Sequence, residues 1–353
     1  MSDARLNDFS RTEAAFILSG VEQADKLQNY VDWHDELVEK IKGFRWDTFD
    51  DIGMAAKVFN YLRTMLYDEY KRESTTLLDI VDRRQYNCVS STILYNTVCD
   101  ELGIFTEAFE TPTHVYSIFA NFGREIIVEN THPMGFNITG NLHAYSQYLA
   151  SFYPEDVVYK IGLDRLYLHE NSKGRVITNT ELLGLLAYNQ AYFALQRKDY
   201  SDAYRMTLLA QNFNGDSRSN VSLELNLYYK WGERCFLEKK FFKAFQVLAD
   251  GVYRYPNEKG LAENSRAAFI NLIHKNWVGR NWRQTLQSVN EINELEILQK
   301  EDLHPLKIIL SRWLNYFHHA RKSSELKQVE LQIKKLFGKK ELKKIKQSFN
   351  IVQ

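Results

Sequence analysis

A thiol, an imidazole and a carboxylate occur in the order that thiol-dependent acyl transfer uses, as Cys88, His114 and Glu129. Cys88 heads the stretch VSSTILYNTVCDEL, whose apolar residues recur with a period near 3.6 until Gly103, so the spacing predicts a buried helix that starts at the cysteine. Unpaired backbone N–H groups and the helix macrodipole favour a thiolate at such a start. A nucleophilic sulfur also needs an imidazole for proton exchange and a third polar group to fix the ring's tautomer. His114 opens the strand-like run HVYSIFAN, and REIIVENT carries Glu129 and Asn130 near its end. Asn121-Phe122-Gly123 between the two runs supplies a hairpin turn that would return Glu129 toward His114. Glu129 is the first choice of orienter and Asn130 the alternate. They point to opposite faces of a regular strand, so only one can serve. His132, beside Pro133, is the second choice of base. The oxyanion donor would be the backbone N–H of Cys88, with the side chain of Gln85 or Asn87 beside it.

Each of these residues also has a bland reading. Free cysteine is among the most buried residue types, and Cys88 flanked by Asn87 and Val89 could be a small core residue. The downstream imidazole and carboxylate tip the balance toward chemistry. Cys99 stands eleven residues after Cys88, about 16 Å along a helix at about 1.5 Å per residue, so no disulfide joins them there. Cys99 and Cys235 read as core fillers. No histidine, including His318 and His319, has Cys, Asp or Glu at ligand spacing, so no metal is expected. The nucleotide-binding glycine patterns are absent too, and no cofactor is expected.

The segments Gln-Tyr-Asn-Cys88-Val-Ser-Ser, Thr-His114-Val-Tyr and Ile-Val-Glu129-Asn130-Thr-His-Pro together resemble the transglutaminase-like superfamily, over roughly residues 70 to 140. That resemblance implies a papain-like α+β core in which Cys88 is the nucleophile, His114 the base and Glu129 the acid. The third position usually reads Asp followed by Pro-Thr, or Glu-Thr-Thr in some bacterial members; here it is Glu129-Asn130-Thr131.

The rest of the chain must carry this core. Its 353 residues suffice for two domains, and 44% hydrophobic with 25% charged residues suits an ordinary globular fold. With 14% aromatics and only five prolines, the expectation is mostly helix. Forty-five Lys and Arg balance forty-five Asp and Glu, so no global field recruits nucleic acid, and none is expected as a partner. Neither a signal peptide nor an apolar run long enough to span a membrane is legible, and three scattered cysteines suggest reduced thiols; a cytoplasmic location is expected. Residues 11 to 71 read as helices broken at Gly43 and Gly53, and the chain from His132 to Asn179 reads as irregular, punctuated by Pro133, Gly135, Gly140, Pro154, Gly162 and Gly174. Residues 1–179 would form the α+β domain.

Residues 180–353 would form a second, all-α domain, because Arg197-Lys198-Asp199-Tyr200, Glu238-Lys239-Lys240-Phe241 and Gly279-Arg280-Asn281-Trp282 recur every 41 residues. Small residues at Ala191, Ala203 and Ala210, then Gly232, Ala244 and Gly251, with Pro256 closing the second copy, resemble the tetratricopeptide repeat. The period exceeds that family's roughly 34 residues, and Ile273 and Ile292 replace small residues in the third copy. A fourth, degraded pair spans about Leu306 to Leu336. Lys327 to Lys346 holds eight lysines interleaved with apolar residues, a basic amphipathic helix suited to a solvated cap or to surface contact.

Two functions fit. One is a transglutaminase-like cysteine enzyme acting on an amide as peptidase, amidase or acyl transferase, its repeats presenting a protein or peptide. The other is a non-catalytic scaffold of the same fold whose repeats carry the protein–protein interaction.

Overall fold

The computed structural model describes residues 6–44, 50–121, 124–138 and 142–351. The chain is mostly helical with one small sheet, and it divides into two compact units, Met1–Glu224 and Leu225–Gln353. Phe122 and Gly123 of the expected hairpin turn, and the break at Gly140, fall outside the described residues.

The first unit begins with α1 (Arg11–Leu18), α2 (Ala24–Lys42) and α3 (Asp51–Leu66). Gly43 ends α2, but Gly53 lies within the first turn of α3, where its N–H is capped by the Asp50 carboxylate at 2.8 Å. A short parallel pair, β1 (Glu69–Tyr70) and β2 (Gln85–Tyr86), encloses α4 (Leu77–Arg83) and leads directly into α5 (Cys88–Glu101). From Val89 to Cys99 every residue of α5 is buried, so this helix is surrounded by protein on all sides. Its apolar residues share one core with α1, α3 and the inner face of a four-stranded antiparallel sheet.

That sheet has the order β5-β4-β3-β6, formed by β3 (Glu107–Glu110), β4 (Val115–Asn121), β5 (Arg124–Val128) and β6 (Arg175–Ile177). Alternation along β4 sends Val115 and Phe119 toward α5 and Tyr116 and Ile118 into a second core on the other face. The second core is closed by α6 (Leu142–Ala150) and α8 (Leu166–Asn171), with α7 (Glu155–Ile161) between them. This stretch, expected to be irregular, thus supplies three short helices and strand β6. Helices of six to nine residues are too brief to show a clear period in sequence. The unit also takes in α9 (Asn179–Gln196) and α10 (Tyr200–Phe213), with α9 packed on α1, α5 and β3.

Helix α11 (Arg218–Leu237) leads into the second unit, which continues with α12 (Phe241–Arg254), α13 (Lys259–Val278), α14 (Trp282–Glu294), α15 (Lys300–His319) and α16 (Ser323–Ser348). The 41-residue period has a backbone cause. Lys198, Lys239, Arg280 and Arg321 each adopt the left-handed conformation, with φ of 64°, 57°, 57° and 56°, at the end of a helix. After each, the next N–H reaches back five residues, to the carbonyls of Ala194, Cys235, Asn276 and Phe317. The fourth pair therefore keeps the turn phase of the other three although its sequence has diverged. A Cβ added at Gly232 would lie 2.6 Å from Leu248, which explains the small residue where α11 meets α12. The basic C-terminal stretch is not one helix: Gly338 (φ 85°) breaks α16 into two.

Candidate functional site

Cys88 occupies the first turn of α5, and its neighbour Asn87 is the cap. The Asn87 Oδ1 accepts from Val89 N (2.9 Å) and Ser90 N (3.1 Å), while Ser90 Oγ accepts from Asn87 N (3.0 Å), a reciprocal arrangement that satisfies the exposed amides of the helix start. Among the described residues the Cys88 N–H has no hydrogen bond, so it remains available as a donor. The Cys88 side chain is partly exposed, whereas Cys99 and Cys235 are buried. Burial pushes the thiols of Cys99 and Cys235 up and so suppresses their ionisation.

His114 immediately precedes β4 and Glu129 immediately follows β5. Pairing of Ser117 with Val128 across these strands brings the two side chains together. The His114 Nε2 and Glu129 Oε2 are 2.6 Å apart, and both side chains are shielded from solvent. The other carboxylate oxygen, Oε1, accepts from the Thr131 N–H (3.1 Å) and hydroxyl, and that hydroxyl also bonds the Tyr148 phenol. The imidazole stacks on Phe152 with centroids 5.3 Å apart and meets the Tyr148 ring edge-on. Gly135 completes the cradle. Its carbonyl accepts from Glu129 N at 3.0 Å, and a Cβ built on it would fall 1.9 Å from the Glu129 carbonyl oxygen. Only glycine fits there.

Burial is the largest single influence on His114 and would lower its affinity for a proton. The Glu129 carboxylate and the Cys88 sulfur outweigh it together and hold the imidazole's pKa well above the ordinary histidine range. In the same way burial raises Glu129, but the facing imidazole and the two Thr131 donors bring its net value down. The pair is therefore ionised. The second ring nitrogen, Nδ1, has no hydrogen-bond partner of standard geometry, while the Cys88 side chain interacts electrostatically with the ring. An unliganded thiol–imidazole contact is commonly loose in this way.

The alternates are placed elsewhere. Asn130, one residue on from Glu129, turns its amide to Ser117 Oγ (2.8 Å) and Thr92 Oγ1 (3.3 Å), on the α5 side of the sheet. His132 accepts from Met134 N (3.2 Å) on Nδ1. Asn87 spends one amide N–H on the Arg72 carbonyl (2.9 Å), and Gln85 spends one on the exposed Glu69 (3.1 Å).

Cys88 and His114 line a cleft of about 550 Å³ within the first unit. Sequence reasoning missed most of its wall. One face of α9 supplies Leu185, Tyr188, Asn189, Tyr192 and Phe193, at three- and four-residue spacing. Tyr70 of β1 also lines it, and the Cys88 sulfur, after burial, is the main charge felt by its phenol, which stays protonated. Tyr70 thus brings a hydroxyl donor into the cleft that holds the thiol. Its position two residues before Arg72, in a strand of two residues, leaves no periodic signal in the sequence.

Among the described residues no cluster of three or more His, Cys, Asp or Glu could hold a metal ion, and no helix is long and apolar enough to cross a membrane. Comparison with protein-family models and with curated proteins found no match to this chain.

Proposed function

We propose that the first unit is a transglutaminase-like, papain-like cysteine enzyme acting on an amide, and that the helical pairs form a tetratricopeptide-like array that docks a protein or peptide. One observation carries the enzymatic reading. An imidazole anchored by a buried carboxylate on Nε2, and unpartnered on Nδ1, shares a cleft with a partly exposed cysteine at a helix start. In the proposed reaction the Cys88 sulfur attacks the amide carbonyl and forms a C–S bond. The Cys88 N–H, with Tyr70 beside it, stabilises the oxyanion. His114 gives its proton to the departing amine as the C–N bond breaks. Water or a second amine then attacks the thioester, its proton passing to His114, and the C–S bond breaks to release the Cys88 thiolate. Glu129 holds the ring and balances its charge. A cytoplasmic setting would keep Cys88 reduced.

The test is alkylation of the full chain by iodoacetamide, followed residue by residue by mass spectrometry. Cys88 is expected to react about a hundredfold faster than Cys99 or Cys235, and His114→Ala to remove most of that advantage, since a positioned base typically contributes about 10²–10⁴-fold. The His114 variant separates activation from mere accessibility. Equal rates at the three cysteines, or an unchanged Cys88 rate in His114→Ala, would leave only the scaffold.

A further inference from the structure

The cleft carries one cationic side chain that no carboxylate pairs. Of the described residues lining it, Arg72 is the sole Lys or Arg, and it forms no ion pair with any described residue. Glu110 and His114, by contrast, are both matched within the protein. Glu110 is bound by Arg175 at 3.1 Å and accepts from Asn214 (3.3 Å) and Ser217 (3.2 Å), and His114 is paired with Glu129. Arg72 is also held in place from two sides. Its backbone carbonyl accepts from the Asn87 amide at 2.9 Å, tying it to the cap that presents Cys88. Its guanidinium lies 5.8 Å from the centre of the Tyr192 ring. Its charge reaches the phenols of Tyr70 and Tyr188, and Tyr70 is the residue that also senses the Cys88 sulfur. A guanidinium stacked on an aromatic ring keeps its planar fork of donors free for a carboxylate.

We propose that Arg72 is a specificity-determining residue that receives a carboxylate of the substrate, with an apolar or aromatic side chain beside it against Tyr188 and Tyr192. This rests on the reading of Cys88 as the nucleophile and narrows its substrate to an amide within an acidic, partly apolar peptide or amino-acid conjugate. The carboxylate can be a chain terminus or an Asp or Glu side chain, since the same fork receives either. An exposed arginine that merely meets water would discriminate against neither charge nor its absence.

The experiment uses the full chain and iodoacetyl-phenylalanine, supplied either as the free acid or as its primary amide, two electrophiles that differ in charge alone. The readout is the ratio of the two Cys88 alkylation rates at low ionic strength. The acid is expected to react about fivefold faster than the amide, the scale of one partly exposed ion pair. Arg72→Gln should bring the ratio to about one, and Arg72→Lys, which keeps the charge without the fork, should keep part of it, which a purely structural role for Arg72 would not produce. Iodoacetyl-aspartic acid amidated at its α-carboxyl identifies the source. If it shows the same Arg72-dependent gain, side-chain carboxylates are accepted; if only the free-acid phenylalanine reagent shows it, the site takes chain termini. A wild-type ratio near one, or a ratio that survives in Arg72→Gln, overturns the assignment while leaving Cys88 reactive. Loss of any Cys88 preference with both reagents overturns the nucleophile reading itself, and Arg72 with it.

Discussion

The His114 Nε2 and the Glu129 Oε2 face each other at 2.6 Å with neither side chain reaching water, so each is held in its charged form by the other against the pull of burial. The two shifts have opposite consequences with pH. His114 is raised above its ordinary 6.5, so its contribution to stability is fully present below that pH and is lost as pH rises through the elevated folded value. Glu129 is lowered from 4.5, so its contribution is present above that pH and is lost as pH falls through the folded value. The pair's own contribution, read as the difference in urea unfolding between wild type and Glu129→Gln at each pH, should be largest between those two values and shrink on either side. Glu129→Gln should remove the part of the acid loss that belongs to this carboxylate, leaving that of His34, and cost about 3–5 kcal/mol at neutral pH, because it leaves a buried charge without its partner. A cost below about 1 kcal/mol would mean that the pair is not ionised.

Gly135 supports the same pair from behind. Because a Cβ there would meet the Glu129 carbonyl oxygen at 1.9 Å, Gly135→Ala must push the 129–135 turn away from β5. The expected loss is about 1–3 kcal/mol in thermal or urea unfolding, together with a slower Cys88 alkylation rate as the carboxylate shifts. Unchanged stability and rate would show that the turn yields freely and does not position Glu129.

His34 of α2 is buried and bonds Thr97 Oγ1 on α5 at 3.2 Å, with Asp35 at 4.0 Å as its nearest carboxylate. Burial lowers its pKa from 6.5 to about 4, only weakly opposed by Asp35. Protons then bind the unfolded chain first, so stability should fall as pH drops from about 6.5 toward 4, by roughly 3 kcal/mol in all. His34→Gln should flatten that slope in pH-dependent unfolding curves; an identical slope in the variant would place its origin elsewhere.

Lys198 sits at φ 64° in the turn between α9 and α10. A β-branched side chain is poorly tolerated there, so Lys198→Val should lower stability by about 1–2 kcal/mol, while Lys198→Gly should be neutral or gain up to about 1 kcal/mol. Thermal melting of both variants decides this, and equal effects would contradict the turn's role as the origin of the repeat phase.

Much of the site is local and was therefore readable. The start of α5 at Cys88 follows from a capping Asn87 ahead of an apolar run, and the strands around His114 and Glu129 follow from β-branched and aromatic runs. The short helices α6 to α8 and the strand β6 escaped notice because each is held by packing on the sheet and not by its own period. Gly53 and Gly338 show the ambiguity of glycine: one sits quietly in a helix's first turn, while the other takes positive φ and breaks a helix.

By itself the sequence determined the order of thiol, imidazole and carboxylate, the helix that presents the thiol, and the 41-residue phase of the helical pairs, because helix starts, strands and left-handed turns are set by neighbouring residues. Only the tertiary structure decided that Glu129 and not Asn130 meets His114, since strand register and pleat choose the face. It alone placed α9, Tyr70 and Arg72 around Cys88, residues tens of positions apart whose encounter depends on how the core packs.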